Sequence, residues 1–490
     1  MRVLFFHYGS EDWFGVGYLS SLLKSRGHQT DLMLYPHVDL YLNLPFLNEG
    51  LIEKKLLKKA KNFKPDLIAF SSTTIAYRYV KKIATKLKKI WNVPQIIGGI
   101  HATALAEHIL STTDIDIACR GEGEYALLDL VTRMEQGKDY FDIKNLYIKR
   151  DGDIIKNPLR PLIEDLDNLP FADKDIFKQY GVLTSDYNII TSRGCPYDCS
   201  YCCNRFYKGL YRHKGKYLRR RSVDHVIDEL RINRARYGFK SVYFWDDAFC
   251  IHMKWLKEFS LKYKQEIGLP FHCLSRPENI DEISIALLKE AGCSHINMGI
   301  ESGNESIREK VLKRHMPNKR IIDAARLIKE KGIKLNTFNM FAIPGEGIKE
   351  MWDTVKLNER IAPDGIFAFL LNPFPATKMA DYAKESGMMT DRHIENMKEG
   401  ILDGLQSESG QNNLEHPYKD LAISMKTFLP IICKSPDWLK PFFKKKVRGD
   451  GRKKAGKMIH LISLLFADTA RIKYKAGEFL KVIWFYVLHS

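Results

Sequence analysis

The sequence is poor in several things a chain of 490 residues could have. No stretch reaches the ~18 uninterrupted apolar residues that a membrane span needs, and the longest candidate, Val482–Leu488, is far too short. The opening MRVLFFHYGSEDWFG lacks a cationic leader followed by an apolar run and a small-residue cleavage site, so we expect no export signal. No internal repeat is evident. Acid is also scarce, with 59 Asp and Glu against 77 Lys and Arg, a net charge of +18. That imbalance suits an anionic partner or simply a soluble surface. With 45% hydrophobic residues, the composition excludes a disordered, collagen-like or disulfide-scaffold protein. The length implies two or three domains.

Nine cysteines are present, four of them packed between 195 and 203. An odd, clustered set fits a reducing compartment better than a disulfide framework, which points to the cytoplasm.

Residues 1–150 alternate strands (Val3–Phe6, Asp31–Leu34, Leu67–Ser71, Gln95–Gly98, Ile115–Cys119) with helical patterns (Tyr18–Lys24, Arg78–Ile90, Glu124–Met134). That alternation predicts a doubly wound α/β sheet. Ligands of such sheets sit beyond the carboxyl ends of the strands. Those ends carry Ser71-Ser72-Thr73-Thr74, Gly98-Gly99-Ile100-His101 and Arg120-Gly121-Glu122-Gly123-Glu124. Small and hydroxylated residues there let backbone amides approach a flat or phosphorylated ligand. No GxGxxG follows the first strand, which disfavours a dinucleotide.

Residues 151–185 read as a linker opening on an Asp151-Gly152-Asp153 hairpin. From 186 to 395 six strands recur, near Ile189–Thr191, Ser241–Trp245, Phe271–Leu274, His295–Ile300, Lys334–Phe341 and Ile366–Leu371, with helices between them. Six strand–helix units predict a barrel or partial barrel with its chemistry at the carboxyl ends of the strands. Residues 396–490 read as a helical, basic C-terminal region.

The first barrel strand runs into Thr191-Ser192-Arg193-Gly194-Cys195-Pro196-Tyr197-Asp198-Cys199-Ser200-Tyr201-Cys202-Cys203-Asn204. Three thiols at CxxxCxxC spacing can hold an iron–sulfur cluster or zinc. Zinc would require a fourth protein ligand, and Cys203 is awkward for it because adjacent side chains diverge.

This loop resembles the signature of the radical S-adenosylmethionine (SAM) superfamily, with Tyr201 as the aromatic before the third cysteine. Motifs similar to that superfamily's SAM-contacting positions fall on later strands. These are Trp245-Asp246-Asp247-Ala248-Phe249, Ser275-Arg276-Pro277, Gly299-Ile300-Glu301-Ser302-Gly303 and Ile343-Pro344-Gly345-Glu346. The N-terminal rim is similar to the cobalamin-binding domain that precedes many such barrels. It lacks the DxHxxG motif whose histidine ligates cobalt elsewhere, so His101 is expected as a pocket or structural residue.

The resemblance implies an N-terminal Rossmann-like cobalamin domain followed by a partial (β/α)6 TIM-type barrel. It implies Cys195, Cys199 and Cys202 on a [4Fe-4S] cluster whose open iron takes SAM. Tyr201, Asp246, Asp247, Arg276, Glu301, Ser302, Pro344 and Gly345 would then contact SAM, and Ser71, Ser72, Thr73, Gly98, Gly99, His101, Gly121 and Glu122 cobalamin. Arg276 is suited to pair with the SAM carboxylate, since guanidinium matches carboxylate bidentately. The implied activity is reductive cleavage of SAM coupled to methyl transfer onto an unreactive carbon, or to a radical cyclisation as in the anaerobic bacteriochlorophyll cyclase. A reductant protein such as flavodoxin or ferredoxin would supply electrons.

Two charged stretches remain. Arg205–Arg221 has eight Lys and Arg, no acid and interleaved aromatics, a pattern compatible with single-stranded nucleic acid, but no nucleic-acid fold accompanies it. From Lys434 to Ser490 the net charge is +10, interleaved with Trp438, Phe442-Phe443, Leu461–Phe466 and Ile483–Leu488. Such a segment suits the surface of an anionic membrane, the inner face in this setting, and with it a small-molecule substrate of apolar or lipid-like kind.

Overall fold

The computed structural model describes residues 1–9, 12, 14–36, 49–182, 186–401 and 414–448. Seven strands form the first sheet: β1 (Arg2–Tyr8), β2 (Gln29–Tyr35), β3 (Leu67–Ser71), β4 (Gln95–Gly98), β5 (Ile117–Cys119), β6 (Leu146–Arg150) and β7 (Asp153–Lys156). Their order is β2-β1-β3-β4-β5-β6-β7. The first five are parallel and the last two antiparallel. Val3, Leu4, Phe5 and Phe6 of β1 are at most 1% exposed, as expected of a strand covered on both faces. The chain reverses its winding direction between β1 and β3, which opens a crevice at their carboxyl ends. The hairpin read from sequence as the start of a linker instead completes this sheet, because Ile117 and Ala118 of β5 pair with Ile148 and Tyr147 of β6.

The second sheet contains β8 (Asp186–Ile189), β11 (Ser241–Phe244), β12 (Phe271–Ser275), β13 (Cys293–Glu301), β14 (Lys334–Phe341) and β15 (Gly365–Leu370). A short hairpin of β9 (Ser192–Arg193) and β10 (Arg219–Arg220) rises from its first strand. The six long strands are all parallel in the order β15-β14-β13-β12-β11-β8, and β8 and β15 do not pair. This is the open, six-stranded barrel that the alternation predicts. Helices such as Val223–Tyr237, Glu282–Ala291 and Asn318–Glu330 pack outside it. The fully buried Val242, Phe244, Cys273, Ile296 and Met298 share one core with residues of those helices. The alternate positions meet across the strands on the inner side, where Asn297 Nδ2 donates to Tyr243 Oη (2.6 Å) and Asn336 Nδ2 to Asn297 Oδ1 (3.0 Å).

The described part of the C-terminal region holds the helices Lys419–Lys434 and Lys440–Arg448. The helix Lys419–Lys434 buries Ala422, Met425, Leu429 and Ile432 together with Ile366 and Leu370 of β15 and Val355, so it covers the barrel's last strand. Glu399, just after the helix Asp391–Lys398, returns to the first domain, where it meets Lys81 Nζ (2.7 Å) and His108 Nε2 (3.0 Å). Among the described residues no helix is long and apolar enough to cross a membrane. The apolar runs Leu461–Phe466 and Ile483–Leu488 lie outside the described residues.

Candidate functional site

The cysteine loop is built outward from Asp246. Its carboxylate is fully buried and accepts from Thr191 N (3.1 Å), Thr191 Oγ1 (2.7 Å) and Ser192 Oγ. This fixes the chain leaving β8. Gly194 then turns with φ +89°, where a Cβ would lie 2.5 Å from the Tyr217 carbonyl oxygen. Farther on, Ser200 donates from N to Leu312 O (3.1 Å) and from Oγ to Val311 O (2.6 Å), while its own carbonyl accepts from Met379 N (2.9 Å). Anchored at both ends, the loop holds Cys195 and Cys199 buried at 8% and 7% exposure and Cys202 half-buried.

Burial pushes the Cys195 thiol up to about 11, whereas the hydrogen bond with Cys203 lowers Cys202 to about 7. Among the described residues no three of these thiols lie within 4.8 Å of one another.

Arg276 lies against the loop. Its Nη1 is 3.0 Å from Cys199 Sγ, its guanidinium carbon is 3.7 Å from the centre of the Tyr197 ring, and Nη2 pairs with Glu278 at 2.5 Å. The Asp247 carboxylate accepts from Asn204 Nδ2 (3.0 Å), and Asn204 Oδ1 accepts from Tyr217 Oη (2.7 Å). Asp247 and Cys203 are both open to solvent, yet desolvation holds the Asp247 carboxyl above its usual range.

On the other side of the loop Tyr201 Oη accepts from Arg314 Nη1 (3.1 Å), and Arg314 Nη2 donates to Gly299 O (2.6 Å). Glu301 lies 3.7 Å from Arg314 in a left-handed backbone conformation, φ +69°, and burial raises its carboxyl. Ser302 is fully buried and its Oγ accepts from Asn304 N (3.2 Å). Pro344 is buried and Gly345 exposed. Glu346 beside them is buried, accepts from Ile343 N (3.2 Å) and is pushed up to about 8 by burial.

The first domain's rim faces this barrel end. Gly99 has φ +99°, and a Cβ there would lie 2.5 Å from Ser72 O, so β3 and β4 deliver their loops in close contact. Ser71 and Gly98 are half-buried at the strand ends, Ser72 Oγ donates to Thr73 O (3.0 Å), and Thr73 caps the helix Thr74–Ile90 through Ala76 N. His101 is wholly buried beneath the rim, 3.2 Å from Thr74 Oγ1 and with its ring tilted against that of Tyr77, 4.3 Å between centres. Burial lowers its imidazole to about 3, which keeps it neutral, in keeping with a structural residue.

Glu122 does something the sequence did not suggest. Its carboxylate takes Arg193 Nη1 (3.0 Å), Arg219 Nη1 (2.9 Å) and Ile163 N (2.8 Å), and Glu124 takes Arg193 Nη2 (2.6 Å). The Arg120–Glu124 loop thus clamps the first domain to the β9–β10 hairpin. Two more arginines at the end of the basic stretch are engaged within the fold. Arg221 pairs with the buried Glu229 (2.6 Å), and Arg220 lies over the Trp255 ring (4.4 Å). Structural pairing accounts for Arg219, Arg220 and Arg221, while Arg212 and Lys216 of the same stretch remain exposed. Asn204, Tyr217 and Arg314 are residues of the site that sequence reasoning missed. Only Asn204, adjoining the cysteine quartet, carried a local signal.

Comparison with known proteins identifies two matching families. Residues 189–357 match the Radical SAM superfamily and residues 8–131 the B12 binding domain. An uncharacterized methyltransferase of Pyrococcus horikoshii is 30% identical over 383 residues, covering 76% of this chain and 79% of that protein. The anaerobic magnesium-protoporphyrin IX monomethyl ester cyclase of Rubrivivax gelatinosus is 27% identical over 401 residues, covering 76% and 68%. The radical SAM methyltransferase TsrM of Kitasatospora setae, solved with cobalamin and a [4Fe-4S] cluster bound, superposes with a TM-score of 0.63 at 18% identity, covering 78% of this chain and 74% of that one.

Proposed function

The chain belongs to the radical SAM superfamily, with a B12-binding domain ahead of its barrel, and on that premise we propose that it is a cobalamin-dependent methyltransferase acting on an unreactive carbon of an apolar or lipid-like substrate. The observation that carries the reading is the joining of two rims. The cysteine loop and the small-residue rim of the first sheet are clamped together by Glu122, Arg193 and Arg219.

We assign Cys195, Cys199 and Cys202 to the [4Fe-4S] cluster. Asp247, Arg276, Glu301, Ser302, Pro344 and Gly345 are assigned to SAM, with Tyr201 buttressing Arg314. Asp246, whose oxygens are already taken by Thr191 and Ser192, serves as a positioning residue. Ser71, Ser72, Thr73, Gly98 and Gly99 are assigned to the cobalamin rim, with His101 beneath it and Gly121 and Glu122 as its hinge to the barrel. When bound, the cluster supplies an electron for SAM cleavage and cobalamin carries the methyl group. The chain's own work is to orient SAM, hold the two cofactors at a fixed separation and keep water out. Arg276 is already held by Glu278 and Tyr197, so little side-chain freedom is lost when it meets a carboxylate.

Support for an apolar substrate comes from an aromatic wall on the last two strands. Phe338 and Phe367 lie 5.3 Å apart between ring centres, and Phe369 is 45% exposed. A second reading, radical cyclisation, is favoured by the likeness to the Rubrivivax cyclase. The test is anaerobic reconstitution of the full chain with iron, sulfide, cobalamin and a one-electron reductant, followed by incubation with methyl-labelled SAM. Label on cobalamin and then on an apolar acceptor supports the methyltransferase. SAM cleavage with no cobalamin retained would remove that reading and leave a radical enzyme of another kind.

A further inference from the structure

The helix Lys440–Arg448 has two faces of opposite character. Inward, Phe443 approaches Phe428 (6.4 Å between ring centres) and Val447 is 4% exposed in the core with Met425 and Leu429. Outward, Trp438 in the preceding turn is 79% exposed and Phe442 is 54% exposed. Pro441, Lys445 and Lys446 are exposed as well. Phe442, Lys445 and Lys446 lie within about one turn on the exposed side of the helix, and the exposed Trp438 precedes them in the turn. The acids that pair with this helix, Asp437 with Lys440 (2.7 Å) and Glu359 with Lys444 (2.8 Å), leave Lys445 and Lys446 exposed. Lys446 Nζ sits 5.5 Å from the centre of the Phe442 ring.

We propose that this face docks the enzyme on a bilayer surface containing anionic lipid. Exposed Trp and Phe side chains flanked by lysines match the interfacial region of a membrane, where aromatic rings enter the headgroup layer and cations meet lipid phosphates. Charge points the same way, since the residues that follow, 449–490, add eight further Lys and Arg against three acids. Each lysine near an anionic surface contributes about 1 kcal/mol, or roughly fivefold in affinity. The proposal supplies a source for the apolar substrate proposed above but does not depend on it, because it stands on the geometry of this helix.

The test uses the full chain and vesicles of phosphatidylcholine with and without phosphatidylglycerol. Co-sedimentation should require the anionic lipid, fall with added salt, and weaken at least about tenfold in W438A/F442A and in K445E/K446E. Brominated lipid should quench tryptophan fluorescence in the native chain, and the quenching should largely disappear in W438F. Equal pelleting of the native chain and W438A/F442A, with no quenching assigned to Trp438, would overturn the proposal; residues 449–490 covering this face would give that result. Absence of pelleting, or capture of a protein by this face without vesicle binding, would also overturn it. SAM cleavage measured without vesicles should be unchanged in all the variants. That control shows them folded and separates failure of docking from failure of the radical SAM reading.

Discussion

The Tyr211 hydroxyl oxygen lies where Gly121 leaves room for it: a Cβ at position 121 would be 1.7 Å away. The same hydroxyl accepts a hydrogen bond from Glu122 N (2.8 Å), and Gly121 itself has φ +77°. A glycine that resembles part of a cofactor loop therefore also serves as the socket in which the barrel's first excursion meets the B12-binding domain.

Gly121→Ala should accordingly be costly for two reasons, a left-handed backbone and a collision. Together they amount to about 2–4 kcal/mol, seen as a lower urea midpoint. Tyr211→Ala in the same chain should recover the steric part, so the double variant should be more stable than the sum of the single effects predicts. Simple additivity would contradict the socket.

Removing each cysteine separately should divide the quartet. Cys195→Ala, Cys199→Ala and Cys202→Ala should each abolish iron retention and the broad absorption near ~400 nm typical of thiolate-ligated clusters. Cys203→Ala should retain both. Iron analysis of the four reconstituted variants checks this, and loss of iron in Cys203→Ala would mean that the ligand set is wrong.

Asp246 is predicted to act through the loop rather than on SAM. Asp246→Ala leaves the Thr191 amide and the Thr191 and Ser192 hydroxyls without their buried acceptor, at a cost of about 3 kcal/mol. Iron retention should fall along with stability, and Asp246→Asn, which keeps an acceptor oxygen, should be intermediate. A stable, iron-loaded Asp246→Ala with only weakened SAM binding would restore direct contact.

Glu346 gives a pH signature. Burial raises its carboxyl from 4.5 to about 8, so between those values the folded chain holds a proton that the unfolded chain has released. Stability from this group therefore falls as pH rises from about 4.5 to about 8, by up to ~5 kcal/mol, and levels off above that. Urea unfolding of the native chain and Glu346→Gln across this range should show the difference between them shifting in favour of Gln as pH rises. A difference independent of pH would show that Glu346 is not held protonated.

Much of this was legible in the sequence where the determinants are local. The apolar runs of β1 and β3 and the CxxxCxxC loop depend on neighbours within a few residues, and the family motifs recur at successive strand ends. What could not be read depends on partners far along the chain. Glu122 meets Arg219 across 97 residues and Tyr201 meets Arg314 across 113. The Asp151–Asp153 hairpin looks like any surface turn until β6 finds β5. The end of the basic stretch resembled a nucleic-acid surface because its acidic partners, Glu122 and the buried Glu229, lie outside it.

The central claim is that one chain holds an iron–sulfur cluster on the 195–202 loop beside cobalamin on the opposing rim. Joint iron, sulfide, zinc and corrinoid analysis of the full chain, reconstituted without oxygen, tests it most directly. The account predicts iron and sulfide in equal amounts with bound cobalamin, and loss of the iron alone in the Cys195→Ala/Cys199→Ala/Cys202→Ala variant. Stoichiometric zinc on the loop, with no iron uptake, would contradict it.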